Sequence, residues 1–173
     1  MPVRFVLVAP VHPGNVGATA RAMKNMGLDD LVLVRPAQFP SAEATALASG
    51  ADDLLARARV VDTVADAVAG CRLVYGTSAR TRSQYYWPGH TPREAAPKLL
   101  AAAAEGHAAV LFGTERIGLT NEELELCHAL IHIPTNPEYD SLNLSQAVQV
   151  LAYELRVAQA LPPLRPDREA PLA

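Results

Sequence analysis

The residues best placed to do chemistry gather in one stretch, 131–147, which reads as a short strand, a stiff polar turn and the start of a long helix. Pro134 and Pro137 remove backbone donors and restrict φ, so the turn is rigid while Asn136, Ser141 and Asn143 offer polar groups beside a helix start. Free N–H groups at such a start suit a polar or anionic ligand. Taken alone, the pattern favours the plainer reading of a capped helix with Ser141 as N-cap. The rest of the chain decides whether it is more than that.

Three further loops follow the carboxyl ends of expected strands: 10–17, 76–82 and 113–118. In open α/β sheets ligands bind at that edge. Glycines such as Gly113 and Gly118 let a ligand approach the backbone. The first strand is not followed by G-x-G-x-x-G, and the sequence has no G-x-x-x-x-G-K-[ST]. The 113–118 loop is too short for a phosphate loop and carries Glu115 where a lysine belongs. It argues against a triphosphate and permits a ligand held by backbone amides and carbonyls. Singly, Asn15 reads as a cap of the first helix, Arg21 as a solvated helix charge, and Glu115 with Arg116 as an exposed ion pair worth little. Arg80 and Arg82 beside Tyr85, Tyr86 and Trp87 suit phosphates with stacked bases, or equally a loop with aromatics tucked on the core.

These loops need strands and helices in alternation. Apolar runs predict strands at 3–9, 31–34, 60–61, 73–75, 108–112 and 129–133. Helices are expected over 18–26, from Ser41 to near Gly50, over 63–69, from Thr91 to about Ala104, after Thr120, and from Leu144 to Ala158. The last carries Leu144, Ala147, Val148, Leu151, Leu155 and Ala158 at helical spacing. Thr91 with Glu94 and Thr120 with Glu123 are capping boxes. The expected fold is α/β, a mostly parallel sheet with helices on both faces. Residues 1–160 form the domain, and the proline-rich 161–173 reads as a flexible tail or linker.

Half the residues are hydrophobic and the net charge is −3, so any nucleic-acid contact must come from a local patch. Cys71, closing a helix, and Cys127, in an apolar segment, read as reduced core thiols of a cytosolic protein. The five histidines lack metal-ligand spacing, so no metal is expected. No apolar run would span a bilayer.

Three motifs in order give a resemblance to the SPOUT superfamily of RNA methyltransferases, in its TrmH-like branch of ribose 2′-O-methyltransferases. They are 14–21 (GNVGATAR) with 23–27 (MKNMG), 112–119 (FGTERIGL), and Ile133-Pro134 with 141–145 (SLNLS). Segments 76–80, 118–124 and 136–139 make the chain most similar to the TrmJ-like subgroup, which methylates the ribose at position 32 of the tRNA anticodon loop. The resemblance covers about residues 3–160. It implies a C-terminal trefoil knot, bent S-adenosylmethionine as cofactor, a homodimer with the active site near its interface, and tRNA as partner. Carried over, Asn15, Arg21, Glu115, Ser141 and Asn143 match catalytic positions. Thr77, Ser78, Ala79, Gly113, Glu115, Gly118, Ile133, Ser141, Leu142, Asn143 and Leu144 match cofactor positions, and Arg21, Lys24, Arg80, Arg82 and Arg116 are the expected RNA contacts. Members of the subgroup often continue into a helical extension that grips tRNA, whereas this sequence ends at Ala173. Two rivals are a non-catalytic RNA-binding module on the same fold and a flavodoxin-like nucleotide binder.

Overall fold

A computed structural model describes residues 3–78, 87–115 and 117–160. Strands β1 (Val3–Val8), β2 (Leu31–Val34), β3 (Arg59–Val61), β4 (Cys71–Thr77), β5 (Gly89–His90), β6 (His107–Phe112) and β7 (Ala129–Ile131) form one sheet in the order β3-β2-β1-β6-β4-β7-β5. Every neighbouring pair is parallel. A parallel sheet buried on both faces wants continuous apolar strands, and β1 (VRFVLV) is buried throughout. Its Val3, Phe5 and Leu7 enter one core, and Val6 and Val8 the other. Arg4 is the polar exception. Its guanidinium pairs with Asp30 at 3.0 Å and donates to the Ala67 carbonyl at 2.7 Å, so no buried donor is stranded.

Helices cover both faces unevenly. α1 (Pro13–Lys24), α2 (Ala42–Ala48), α3 (Asp52–Arg57), α5 (Pro92–Glu105) and α7 (Leu144–Ala158) pack their apolar residues on the first core. Among the described residues the second is closed by the one-turn helices α4 (Val64–Ala67) and α6 (Asn121–Leu124), with Leu119, Cys127 and Trp87. α7 buries Leu144, Val148, Leu151 and Leu155. Each such side chain contributes about 1.5–3 kcal/mol, which fixes the helix whose start borders the site.

Several expectations change. α1 begins at Pro13, not at residue 18, so Gly14-Asn15-Val16-Gly17 is helical. Pro13 at N1 is preorganised for a helix start. Gly17 is there because a Cβ would lie 2.1 Å from the Ala44 carbonyl oxygen, where α2 crosses. The helix expected from Ser41 to near Gly50 forms as α2 and stops at left-handed Ser49 and Gly50, and a further helix, α3, follows where none was expected. Cys71 opens β4 rather than closing a helix. β7 ends at Ile131, and the two-residue strand β5 is too short to carry a periodic signal. The two capping boxes form as expected.

Candidate active site

The carboxyl ends of β4, β6 and β7 lie side by side, and the loops leaving them surround a cleft of about 670 Å³. That size suits a ligand of nucleoside scale. Of the expected cofactor residues, Thr77, Ser78, Gly113, Glu115, Gly118, Ile133, Ser141, Leu142 and Leu144 line it. Phe112, Leu119, Leu124 and Ile131 supply apolar wall.

The 113–118 loop folds on itself. Gly118 has φ +74° and its N–H donates to the Thr114 carbonyl at 3.0 Å. A Cβ on Gly113 would lie 2.1 Å from the Gly118 carbonyl carbon and 2.3 Å from the Leu119 nitrogen. Gly113 lines the cleft, and the loop's own backbone leaves no room for a side chain there. Beside it the Thr114 hydroxyl oxygen is buried in the cleft wall without a hydrogen-bond partner. An orphaned buried hydroxyl costs about 1–3 kcal/mol unless a ligand or water satisfies it.

The loop from residue 132 to 143 is pinned at both ends. Ser78 N–H donates to the Ile131 carbonyl at 3.0 Å, and His132 Nδ1 lies 3.3 Å from the Ser78 carbonyl oxygen. At the far end the cap of α7 is Asn143, not Ser141: Asn143 Oδ1 accepts from Ser145 N–H at 2.9 Å, and Gln146 Oε1 accepts from Asn143 N–H at 3.2 Å. Ser141, released from capping, faces the cleft. Asn143 also reaches across the fold, its Nδ2 donating to Asn15 Oδ1 at 3.2 Å. The first and third motifs, 128 residues apart, thus meet through two amides.

Glu115 joins the second motif to the first. Its carboxylate accepts from Val11 N–H at 3.1 Å to each oxygen and from His12 N–H at 2.9 Å. α1 has no side-chain cap of its own at His12, so Glu115 anchors its approach from another loop. Glu115 thus serves as a tether between the two loops, while the Arg116 side of the expected ion pair lies outside the described residues. Asn15 does not cap α1 either, since it stands at the third helical position.

Arg21 and Lys24, both described, do not line the cleft. Arg21 is exposed on α1 and makes no side-chain bond among the described residues. Lys24 is held by Asp53 at 2.9 Å and by the Gly50 carbonyl at 3.2 Å. The bond lowers the Asp53 carboxyl below its usual range. Ala79, Arg80, Arg82 and Arg116 lie outside the described residues. Sequence reasoning missed Thr114, Asn121, His132, Thr135 and Asp140, which also line the cleft. Their only signal was position within, or just after, the segments already singled out.

Behind the cleft, burial pushes the Cys127 thiol up to about 12, and burial also raises Cys71. Neither is a poised nucleophile. Among the described residues no cluster of three or more His, Cys, Asp or Glu could hold a metal, and no helix is long and apolar enough to cross a membrane. A second groove, about 620 Å³ and mostly apolar, runs between α1 and α7 beside Met26, Leu142, Val150 and Tyr153.

The cleft fits S-adenosylmethionine chemically: apolar wall for a planar base, backbone amides and carbonyls for its edge, and an unpaired hydroxyl at Thr114. The family comparisons point the same way. The sequence matches the SpoU rRNA Methylase family over residues 2–153. It is 51% identical over 174 residues to the tRNA (cytidine/uridine-2′-O-)-methyltransferase TrmJ of Yersinia pestis strain Pestoides F, covering 98% of this chain and 67% of that protein. This chain therefore spans about two thirds of that relative's length. The crystal structure of TrmJ from Z. mobilis ZM4 superposes with a TM-score of 0.85 at 45% identity, covering 94% of this chain and 72% of that one. An AdoMet-bound rRNA methyltransferase from Sinorhizobium meliloti shares the fold, with a TM-score of 0.71 at 24% identity over 90% of this chain and 56% of that one. With the second and third motifs lining one cleft, the first bonded to both, and a family match over 2–153, the chain belongs to the SpoU rRNA methylase family.

Proposed function

We propose that the protein methylates a ribose 2′-hydroxyl of tRNA, at anticodon-loop position 32, using S-adenosylmethionine. The observation that carries this is the meeting of the three motifs: Asn143 bonded to Asn15, and Glu115 bonded to Val11 and His12, around one cleft. When bound, S-adenosylmethionine supplies an electrophilic methyl group on a sulfonium. The chain's task is to hold a ribose oxygen in line with it. Phe112, Leu119, Leu124 and Ile131 keep water from the cleft floor. Backbone groups of the 113–118 and 132–135 loops, with Thr77 and the Thr114 hydroxyl, hold the cofactor. Ser141 and the Asn143–Asn15 pair fix the ribose. Most of the rate gain comes from this positioning.

Arg21 orients the hydroxyl and the adjacent phosphate; a guanidinium normally keeps its charge and makes a poor base. Because Arg21 stands outside the cleft of its own chain, it acts in a homodimer, reaching the site of the partner. Support for the dimer is the apolar groove between α1 and α7, with Tyr153 51% and Val157 54% exposed. The reading includes a trefoil knot in the C-terminal part, supported by the insertion of β7 between β4 and β5 and by the bonds from residue 78 to 131 and 132. Residues 1–160 make up the catalytic domain of a cytoplasmic enzyme.

Calorimetry with S-adenosylmethionine, FMN and NAD tests the cofactor, and transfer of labelled methyl groups to unmodified tRNA tests the reaction. Binding of the first alone, with label entering tRNA, is expected. Binding of FMN or NAD instead would favour the flavodoxin-like rival, and tight RNA binding without label would favour the non-catalytic module.

A further inference from the structure

Tyr139 is 77% exposed, the most exposed large hydrophobic side chain among the described residues. Yet the backbone beneath it is fixed. Its N–H donates to the Asn136 carbonyl at 3.0 Å, Glu138 N–H donates to Asn136 Oδ1 at 3.0 Å, and Pro137 restricts φ between them. Pro137, Asp140 and Ser141, on either side, line the cleft, so the turn that carries the ring borders it. The ring takes no part in the aromatic pairs Phe5–Phe112 and Tyr75–His90. Ile117, 62% exposed, sits on another wall of the same cleft. A rigid turn that holds an aromatic face in water beside a reaction site is arranged for a flat partner.

We propose that Tyr139 stacks on the nucleobase of the nucleotide being methylated and so sets its ribose over the cleft, an inference that rests on the methyltransferase reading above. A ribose inside a stacked RNA loop cannot bring its 2′-hydroxyl into a cleft without turning outward, and the base then loses its stacking neighbour. An aromatic side chain replaces that neighbour. Stacking uses the π-face that every base has, so Tyr139 positions the nucleotide without choosing strongly among bases. The ring carries the effect and the phenol oxygen does not.

The test compares the unaltered chain, Tyr139→Phe and Tyr139→Ala on intact tRNA and on the same tRNA lacking only the base at the target nucleotide. Tyr139→Phe should keep kcat/KM within about twofold on both. Tyr139→Ala should lose at least about fivefold on intact tRNA, the low end of aromatic stacking. On the abasic substrate it should match the unaltered chain within about twofold, with S-adenosylmethionine affinity and oligomeric state unchanged. Equal activity on intact tRNA, an equal loss on both substrates, or a change in cofactor affinity or oligomeric state would overturn the proposal. If the unaltered chain failed to methylate intact tRNA, the methyltransferase reading would fall and this proposal with it.

Discussion

Replacing Glu115 by glutamine keeps the shape of the side chain and removes its charge and one acceptor. The carboxylate now receives two backbone donors, Val11 N–H and His12 N–H. Glutamine has one oxygen, so one N–H loses its acceptor and faces an amide NH₂, while the other keeps a neutral bond. Charge-assisted bonds are worth about 1.5–3 kcal/mol and neutral ones about 0.5–1.5, so the change would cost about 3 kcal/mol in a dry site. Glu115 is half-buried, and water replaces part of what is lost. The expected destabilisation is about 1–2 kcal/mol, or a melting temperature lower by about 4 °C in a chain of this size. Asn15 lies three residues beyond His12, so loosening the start of α1 also displaces the Asn15–Asn143 pair. Thermal melts and methylation kinetics of Glu115→Gln, Asn15→Ala and the double variant read both effects. The two losses in kcat should be less than additive in free energy, because one variant acts through the residue the other removes. An unchanged melt with a collapsed rate would show that Glu115 acts on the reacting groups directly, and the tether would be refuted.

Gly113→Ala should cost about 1–3 kcal/mol or more, since its Cβ would strike the Gly118 and Leu119 backbone, and it should abolish cofactor binding with the loop; calorimetry showing normal S-adenosylmethionine affinity would contradict this closure. Arg21→Ala should melt and bind cofactor normally, because the side chain is exposed and unbonded among the described residues, yet lose methyl transfer by at least about 100-fold, the lower range for removing a group aimed at developing charge; a near-normal rate would remove it from the mechanism. Burial raises Cys127 from 9.0 to about 12, so its contribution to stability is complete below pH 9 and is lost as pH rises toward 12, at up to about 1.4 kcal/mol per pH unit. Chemical denaturation across that window should give a shallower alkaline slope for Cys127→Ala, and parallel curves would show that the thiol titrates alike in both states.

The parts of the fold that read well had signals made locally. The capping boxes at Thr91 and Thr120, the apolar runs of β1, β2 and β6, and the stripe of α7 depend on neighbours within a few residues. The misreadings share a different cause. Gly14 and Gly17 suggested a loop because glycine is poor in helices, but α2 crosses so closely at Gly17 that no side chain fits. Ser141 suggested a cap on composition alone, while Asn143 takes the cap through Ser145 and frees Ser141 for the cleft. Gly113 has a further reason to be glycine that has no local trace, the backbone of Gly118 and Leu119 against it. The cleft residues that were legible came through the motifs. Thr114 and His132 were not, since a buried hydroxyl and a histidine lying against Ser78 acquire meaning only when distant strands are set side by side. The link from Glu115 to Val11 and His12 spans more than 100 residues and has no local trace.

The most direct test of the central claim is to incubate the protein with labelled S-adenosylmethionine and unmodified tRNA, digest the product and map the labelled nucleoside. The account predicts label on a ribose 2′-oxygen at position 32 of the anticodon loop, and none with the Arg21→Ala variant. Label on a base, or tRNA recovered without label while the cofactor binds, would contradict it.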